Sequence, residues 1–289
     1  MKAPRFSYVR AQTLDHALQL LAEHGDDARI LAGGQSLMPV LNMRLSQPKL
    51  LIDINRIAAL KGIWVHDGRV RIGALARHIE VMDSAVVEES LPLIAEAMPH
   101  LAHVAVRNRG TFGGSIALAD PSAELPACIL ALGASVIVQS TRGRRTIPAD
   151  EFFLGLYETA REPDELLIEV LIPEQEEDCV SVFIELARRH GDFAIAGLAC
   201  YARCEGETVD EARLVYFGSE VKPTLALHAM AAVEGKQWTP AVSEAVTAAL
   251  AEDLDPIDNI FGSPATKLHL QRVLTRRALD KAVERARLQ

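Results

Sequence analysis

The sequence has few cysteines and few aromatic residues, and both shortages restrict what the protein can be. Four cysteines stand among 289 residues, which is too few for a disulfide-stapled secreted domain. No two of them form a CxxC pair, so the thiolate spacing of an iron–sulfur cluster is missing from this chain. Aromatic residues make up 5% of the chain, which disfavours a surface built to stack nucleic-acid bases.

Excess positive charge and long apolar runs are also missing. Lys and Arg number 30 against 39 Asp and Glu, for a net charge of −9, so nucleic-acid phosphates and anionic lipids are not attracted electrostatically. No apolar run reaches the roughly 20 residues that cross a bilayer, and the N-terminal segment lacks the apolar region of a signal peptide. We therefore expect a cytoplasmic protein with no nucleic-acid partner and no membrane partner.

The residues that are present predict a folded protein of two domains. Hydrophobic residues make up 49% of the chain and charged residues 24%, and the length exceeds one ordinary core. In the first third, Thr13 is the predicted N-cap of a helix whose apolar face includes Leu18 and Leu21, and Gly25 is its predicted end. Short predicted strands and helices then alternate, which indicates α/β units.

An acidic run at residues 174–178 marks the predicted domain boundary, because such runs are usually solvated linkers. The predicted first domain covers residues 1–177, with subdomains of about 1–55 and 56–177. The predicted second domain, residues 178–289, has three strands followed by helices. The overall prediction is an α+β protein in which two α/β subdomains precede a smaller C-terminal α+β domain.

Two glycine-rich segments have the residues of a ligand-binding loop. The first contains Leu31, Ala32, Gly33, Gly34, Gln35, Ser36 and Leu37, and the second contains Thr111, Phe112, Gly113, Gly114 and Ser115. Paired glycines allow positive φ and leave room for a ligand, so that backbone N–H groups and a helix N-terminus can bind a phosphate.

Side chains near these segments support the same interpretation. Ser36 can either cap the following helix or donate its hydroxyl to a phosphate, and Arg107 and Arg109 add positive charge before the second segment. Each segment alone could also be a tight turn without a ligand. Neither matches GxGxxG or GxxxxGK[ST], which disfavours a Rossmann NAD domain and a P-loop ATPase.

Both segments resemble the FAD-binding loops of the molybdenum hydroxylase flavoprotein family. This family includes the medium subunits of carbon monoxide dehydrogenase and quinoline oxidoreductase and the flavin domain of xanthine dehydrogenase. The resemblance continues through residues 120–126, 164–167 and 187–194, and it covers essentially the whole chain in order.

The resemblance implies a set of FAD-binding residues. The two glycine-rich segments would contact the pyrophosphate and ribityl chain, and Glu124 stands where the family places an acidic residue on the cofactor. Leu166 and Leu167 would pack against the ring system or the adenine, and Phe193 would shield the isoalloxazine. It implies no acid–base catalyst and no metal ligand in this chain.

The function implied by the resemblance is electron transfer within a larger complex. A large subunit would bind molybdopterin, and a small subunit would contain [2Fe–2S] clusters from which this FAD subunit passes electrons to an external acceptor. The expected assembly is a dimer of heterotrimers. Two alternatives remain open at this point, a self-contained FAD-dependent oxidase or dehydrogenase and a non-enzymatic nucleotide-binding adaptor.

Overall fold

The computed structural model describes residues 2–288, so Met1 and Gln289, the outermost residues of the two predicted domains, lie outside the described part. The strands are β1 Ser7–Arg10, β2 Ala28–Leu31, β3 Leu50–Asp53, β4 Ile63–His66, β5 Arg69–Gly73, β6 Ser135–Ser140, β7 Gly143–Pro148, β8 Phe153–Gly155, β9 Glu158–Thr159, β10 Leu166–Pro173, β11 Cys179–Leu186, β12 Ala196–Glu205, β13 Thr208–Phe217, β14 Thr224–Leu225 and β15 Lys236–Gln237. The helices are α1 Leu14–His24, α2 Leu37–Asn42, α3 His78–Met82, α4 Ala85–Ser90, α5 Pro92–Ala97, α6 Val104–Arg107, α7 Phe112–Leu118, α8 Glu124–Ala131, α9 Ala149–Phe152, α10 Leu227–Val233, α11 Pro240–Asp253 and α12 Pro264–Ala286.

The first sheet is small and parallel, with the strand order β1-β3-β2. Its helix α1 begins and ends as predicted. The Thr13 side chain accepts a hydrogen bond from the His16 N–H at 3.1 Å, and the chain leaves the helix at Gly25 with φ of +46°. Leu18 and Leu21 are buried on the face that packs on the sheet. Local capping and apolar spacing therefore agree with the observed helix.

The second sheet is antiparallel, with the order β4-β5-β10-β6-β7. Strand β10 lies at its centre, where Val170 and Ile172 are fully buried. Short helices α3, α4, α5, α7 and α8 enclose the same apolar core. Strand β10 is the next strand in sequence after the β8–β9 hairpin. The start of β10, the end of this hairpin and both glycine-rich segments line one cleft.

The third sheet contains the three long predicted strands, and two two-residue strands, β14 and β15, extend it. Neighbouring residues of β11 face opposite sides of this sheet, as the strand period of two requires. Val182 packs in the core under α12, whereas Phe183 packs in the core that contains α5 and α8. The sheet is therefore buried on both faces, and one face is continuous with the core beside the cleft.

The observed elements confirm the predicted mixed fold of helices and sheets. Among residues 2–288, no helix combines the length and the apolar character that a membrane crossing requires.

Candidate functional site

A single cleft of about 1070 Å³ brings the predicted site residues together. Fourteen of the fifteen line it, namely Ala32, Gly33, Gly34, Gln35, Ser36, Leu37, Thr111, Gly113, Gly114, Ser115, Glu124, Leu166, Leu167 and Phe193. Leu31 lines an adjoining cavity of about 500 Å³, which shares Ala32, Gly33, Gly34 and Gln35 with the cleft. Residues that are more than 150 positions apart in sequence thus meet at one site.

The first glycine-rich segment is a turn with free backbone donors. Gly34 has φ of +71°, a conformation that L-amino acids with a side chain rarely adopt. Gly33 has an ordinary φ, but a β-carbon there would lie 2.4 Å from the Arg109 carbonyl oxygen. Among the described residues, no acceptor contacts the backbone N–H groups of residues 33–36. Successive free N–H groups of this kind can bind an anion.

Ser36 does not cap α2, so the capping alternative for this residue is wrong. Its backbone already has helical angles, φ of −98° and ψ of −44°, and its side chain makes no capping hydrogen bond. A capping serine needs an extended backbone to direct its oxygen at the first N–H groups of the helix. The Ser36 side chain instead lies at the cleft wall, where its hydroxyl is available to a ligand.

The second glycine-rich segment is the first turn of a helix, not a loop. Thr111 is the N-cap of α7, and its Oγ1 accepts a hydrogen bond from the Gly114 N–H at 3.1 Å. A β-carbon on Gly113 would lie 2.6 Å from the Cα of Ala74. Gly113 does not have a positive φ. Close packing, and not backbone conformation, is therefore the reason that glycine is required there. The loop prediction was wrong because glycine is a poor helix former, and capping and packing override that preference.

Arg107, near this segment, has a different role from the predicted one. Arg107 is buried, and its guanidinium donates to the carbonyl oxygens of Leu101 and Ala102 at 2.9 and 2.8 Å. Its charge is therefore used to hold a turn and is not presented to a ligand. Arg109 is exposed and its main-chain carbonyl accepts a hydrogen bond from Arg77.

Arg77 and Asn55 connect the two glycine-rich segments. The Arg77 side chain donates to Asn55 Oδ1 at 2.6 Å as well as to the Arg109 carbonyl. Asn55 Nδ2 in turn donates to the Ala32 carbonyl at 2.9 Å. Burial, followed by the like charge of Arg109, lowers the pKa of Arg77. This network fixes the distance between the segments without placing its own side chains in the cleft.

His78 is a cleft residue that the sequence did not indicate. It begins α3, is 4% exposed, and its Nε2 lies 3.1 Å from the Ser115 hydroxyl. Burial lowers its pKa to about 4, so the imidazole is neutral at pH 7 and fixes the orientation of Ser115. In the sequence, a single histidine at the start of a short helix has no pattern that identifies it as a site residue.

Comparison with known proteins identifies the family. Residues 4–175 match the FAD binding domain in molybdopterin dehydrogenase, and residues 181–282 match the CO dehydrogenase flavoprotein C-terminal domain. The chain belongs to the FAD-binding subunits of the molybdenum hydroxylases. It is an oxidoreductase subunit whose role is electron transfer.

Individual relatives extend over the whole chain. The chain is 40% identical to subunit alpha of the 6-hydroxypseudooxynicotine dehydrogenase complex of Paenarthrobacter nicotinovorans, over 99% of this chain and 97% of that protein. A structure of carbon monoxide dehydrogenase from Hydrogenophaga pseudoflava that lacks the Mo-pyranopterin moiety matches with a TM-score of 0.96 and 38% identity, over 99% of both chains. Quinoline 2-oxidoreductase from Pseudomonas putida 86 matches with a TM-score of 0.93 and 35% identity, also over 99% of both chains. The predicted fold class is therefore confirmed.

The cleft of this FAD-binding subunit fits the chemistry of FAD. The free N–H groups of residues 33–36 suit a pyrophosphate. Gly33 and Gly34 are required by the turn itself, because their β-carbons would meet other parts of this chain. Apolar walls suit a flat ring, and Leu166 and Leu167, at the start of β10, are 4% and 3% exposed. When bound, FAD supplies the redox chemistry, and the protein determines where it lies.

Two further predicted residues of the cleft differ in their exposure to solvent. Glu124 begins α8, is 5% exposed, and has a pKa that burial raises to about 8. Its carboxyl is therefore mainly protonated at pH 7, and it can donate a hydrogen bond. Phe193 is 62% exposed, so its ring is not fixed by a core and lies where an incoming molecule can contact it.

Several wall residues were not among the predicted site residues. The cleft also contacts residues 101–103 and 157–159 together with Arg161 and Asp192. Tyr157 has positive φ of 57°, and its hydroxyl donates to Asp120 at 3.2 Å. A strained residue of this kind is often found at a functional site, but the two turn residues, Leu156 and Tyr157, are not the glycine or asparagine that would indicate it.

Proposed function

We propose that the cleft binds one FAD non-covalently and that residues 31–37 and 111–115 contact its pyrophosphate and ribityl chain. Glu124 donates a hydrogen bond to the cofactor, Leu166 and Leu167 pack against an apolar part of it, and Phe193 covers the isoalloxazine. The observation that carries the proposal is that fourteen of the fifteen residues line one cleft. Free backbone donors on one wall and buried leucines on another match the two chemically different halves of such a ligand.

The residues of this chain bind and orient the cofactor and exclude water from it. The neutral His78 imidazole fixes the Ser115 hydroxyl, and the hydrogen bonds between Arg77, Asn55 and the first glycine-rich segment fix the spacing of the two glycine-rich segments. None of these groups needs to gain or lose a proton at pH 7 to do so. No acid–base catalyst is assigned here, because substrate oxidation belongs to another subunit.

The electron-transfer role of the family requires partners. We propose that the chain assembles with a molybdopterin-binding large subunit and a small subunit with [2Fe–2S] clusters, as a dimer of heterotrimers in the cytoplasm. The chain itself would consist of an FAD-binding domain, residues 1–177 with subdomains of about 1–55 and 56–177, and a C-terminal domain, residues 178–289. The large subunit would select the substrate.

Reconstitution tests the proposed binding. The purified chain is saturated with FAD, freed of excess cofactor and heated, and flavin absorbance is measured in the supernatant. We expect one FAD per chain, all of it released by heat. Flavin that stays with the precipitate contradicts non-covalent binding, and a chain that retains no flavin after saturation contradicts the assignment of the cleft. Purification of the native complex should also yield molybdenum and iron.

A further inference from the structure

The β8–β9 hairpin is a separate small part of the fold that contributes to one wall of the cleft. It is a two-stranded sheet of its own and pairs with no other strand among residues 2–288. An isolated two-stranded hairpin is marginally stable, so its position depends on contacts with its surroundings. Tyr157, Glu158 and Thr159 line the cleft. A movement of this hairpin would therefore change access to the cleft.

The ends of the hairpin are anchored to the rest of the chain. Phe153 is 3% exposed, and its ring packs edge to face on the ring of Phe152, with the centroids 5.2 Å apart. The Phe153 carbonyl accepts a hydrogen bond from Lys222 Nζ at 3.2 Å. The Phe152 carbonyl accepts one from the Ala160 N–H at 2.8 Å. These contacts fix where the hairpin begins and ends, but none of them involves its turn.

The turn of the hairpin, in contrast, is exposed and is held by one contact. Leu156 and Tyr157 form this two-residue turn and are 56% and 55% exposed. Within residues 2–288, a single hydrogen bond joins residues 154–158 to the chain outside the hairpin. The Tyr157 hydroxyl donates it to Asp120 Oδ2 at 3.2 Å. Because Asp120 also lines the cleft, this bond connects two of its walls.

Asp120 is held in position as the acceptor of this bond. The chain leaves α7 through Ala119, which has the left-handed φ of +53°. The other carboxylate oxygen of Asp120 accepts a hydrogen bond from the Ser122 N–H at 2.9 Å. Since the carboxylate is already fixed by this bond, little side-chain freedom is lost when Tyr157 donates to it.

Tyr157 is an unusual residue for its position in the turn. Its φ of +57° is adopted at low cost by glycine or asparagine but not by tyrosine. The surrounding structure has to hold such a residue in place, and the hydrogen bond to Asp120 does so. Burial, followed by the negative charge of Asp120, raises the pKa of Tyr157 to about 12. The phenol therefore has a proton to donate at neutral pH.

We propose that the hydrogen bond between Tyr157 and Asp120 is a latch that holds the hairpin closed over the cofactor cleft and limits how fast FAD enters and leaves. This inference rests on the proposed function, in which FAD occupies the cleft. Tyr157 is a positioning residue in this role. Both partners of the bond belong to this chain, so the bond forms with or without the cofactor. Its loss should therefore raise the entry rate and the exit rate by the same factor and leave the FAD affinity unchanged.

The two rates are measured on the full chain. Stopped-flow flavin fluorescence follows entry when FAD is mixed with the cofactor-free chain. For exit, the loaded chain is mixed with excess apo-glucose oxidase, which captures released FAD and reports it as glucose oxidase activity. We expect Tyr157→Phe, which removes only the hydroxyl, to raise both rates roughly fivefold, as the loss of one hydrogen bond implies.

The matched control is Tyr201→Phe, which removes a hydroxyl from another part of the chain. Tyr201 is half-buried in β12, outside the cleft, and its hydroxyl accepts a hydrogen bond from the Glu176 N–H at 3.4 Å. This variant should exchange FAD at the wild-type rates. Acceleration in Tyr201→Phe equal to that in Tyr157→Phe overturns the latch.

An Asp120→Ala background tests whether the two residues act as a pair. Tyr157→Phe should accelerate FAD exchange in the wild-type chain and have no further effect in Asp120→Ala, because the acceptor is already missing there. An equal acceleration in both backgrounds overturns the latch, since Tyr157 would then act without Asp120.

The remaining outcomes separate the latch from the proposed function. Unchanged rates in Tyr157→Phe overturn the latch and leave the proposed function intact. A faster exit at an unchanged entry rate also overturns the latch, because Tyr157 would then be an ordinary contact of bound FAD. A wild-type chain that binds no FAD after saturation overturns the proposed function and the latch together.

Discussion

The main chain of Gly33 lies so close to the Arg109 carbonyl that a β-carbon on Gly33 would stand 2.4 Å from that oxygen. The obstacle is backbone, so no rotamer change relieves it, and the two glycine-rich segments would have to move apart. Gly33→Ala should therefore lower the free energy of unfolding by about 1–3 kcal/mol and abolish stoichiometric FAD binding. Urea unfolding and flavin titration measure the two effects.

The control for this variant is Gly155→Ala. Gly155 has an ordinary φ, and a β-carbon there meets only the Glu158 side chain, at 3.4 Å. We expect unchanged stability and unchanged FAD affinity. Equal FAD affinity in Gly33→Ala and the wild type would show that the close contact between Gly33 and Arg109 is not needed for FAD binding.

Thr111 should contribute both to stability, as a helix cap, and to FAD binding, as a cleft residue. Thr111→Ala removes the hydrogen bond to the Gly114 N–H and should cost about 1 kcal/mol of stability and also weaken FAD binding. Thr13→Ala removes the equivalent cap of α1, and Thr13 is not itself a cleft residue. It should cost a similar stability with no change in FAD affinity. If both variants bind FAD equally well, Thr111 is only a structural cap.

The elements with strong local signals were predictable, and those that depend on distant packing were not. Helix α1 has a cap, an apolar face and a terminal glycine within residues 13–25, and all three act as expected. Strand β1 was missed because most of its residues are exposed, so that it has no apolar pattern. It is identified only by its pairing with β3.

The same distinction holds for the cleft. Two of its walls are formed by short glycine-rich motifs, so their residues could be predicted from sequence. Gly113, however, is glycine because of Ala74, which lies 39 positions earlier, and the role of His78 depends on Ser115, 37 positions later. Contacts of this range leave no local pattern.

Glu124 should make the stability of the FAD-free chain depend on pH. Its pKa is about 8 in the folded chain, against 4.5 for an ordinary glutamate. Between these values the folded state binds more protons than the unfolded state, so stability falls as pH rises. Glu124→Gln removes this contribution, and its stability should improve relative to the wild type by up to about 1.4 kcal/mol per pH unit in this window.

Urea unfolding at several pH values between the two pKa values measures this difference. The exposed Glu88→Gln is the control and should show a constant difference from the wild type. A pH-independent difference for Glu124→Gln as well would show that Glu124 ionises normally in the folded chain.

Phe193 should control access to the flavin and contribute little to stability. Its ring is 62% exposed, so Phe193→Ala should change the free energy of unfolding by less than about 0.5 kcal/mol. Removal of the ring should accelerate reoxidation of the reduced flavin by dioxygen, which stopped-flow absorbance measures. Leu154→Ala, 50% exposed and outside the cleft lining, is the control. An unchanged reoxidation rate in Phe193→Ala would contradict a shielding role.

The most direct test of the electron-transfer role is to mix the FAD-loaded chain, without oxygen, with the chemically reduced [2Fe–2S] partner subunit. Stopped-flow absorbance follows the flavin and the clusters separately. We predict that the flavin is reduced as the clusters are oxidised, with two electrons per flavin, and that the lone chain reduces its flavin with no N-heterocycle or aldehyde. A flavin that stays oxidised beside reduced clusters, or efficient substrate turnover by the lone chain, would contradict the assignment.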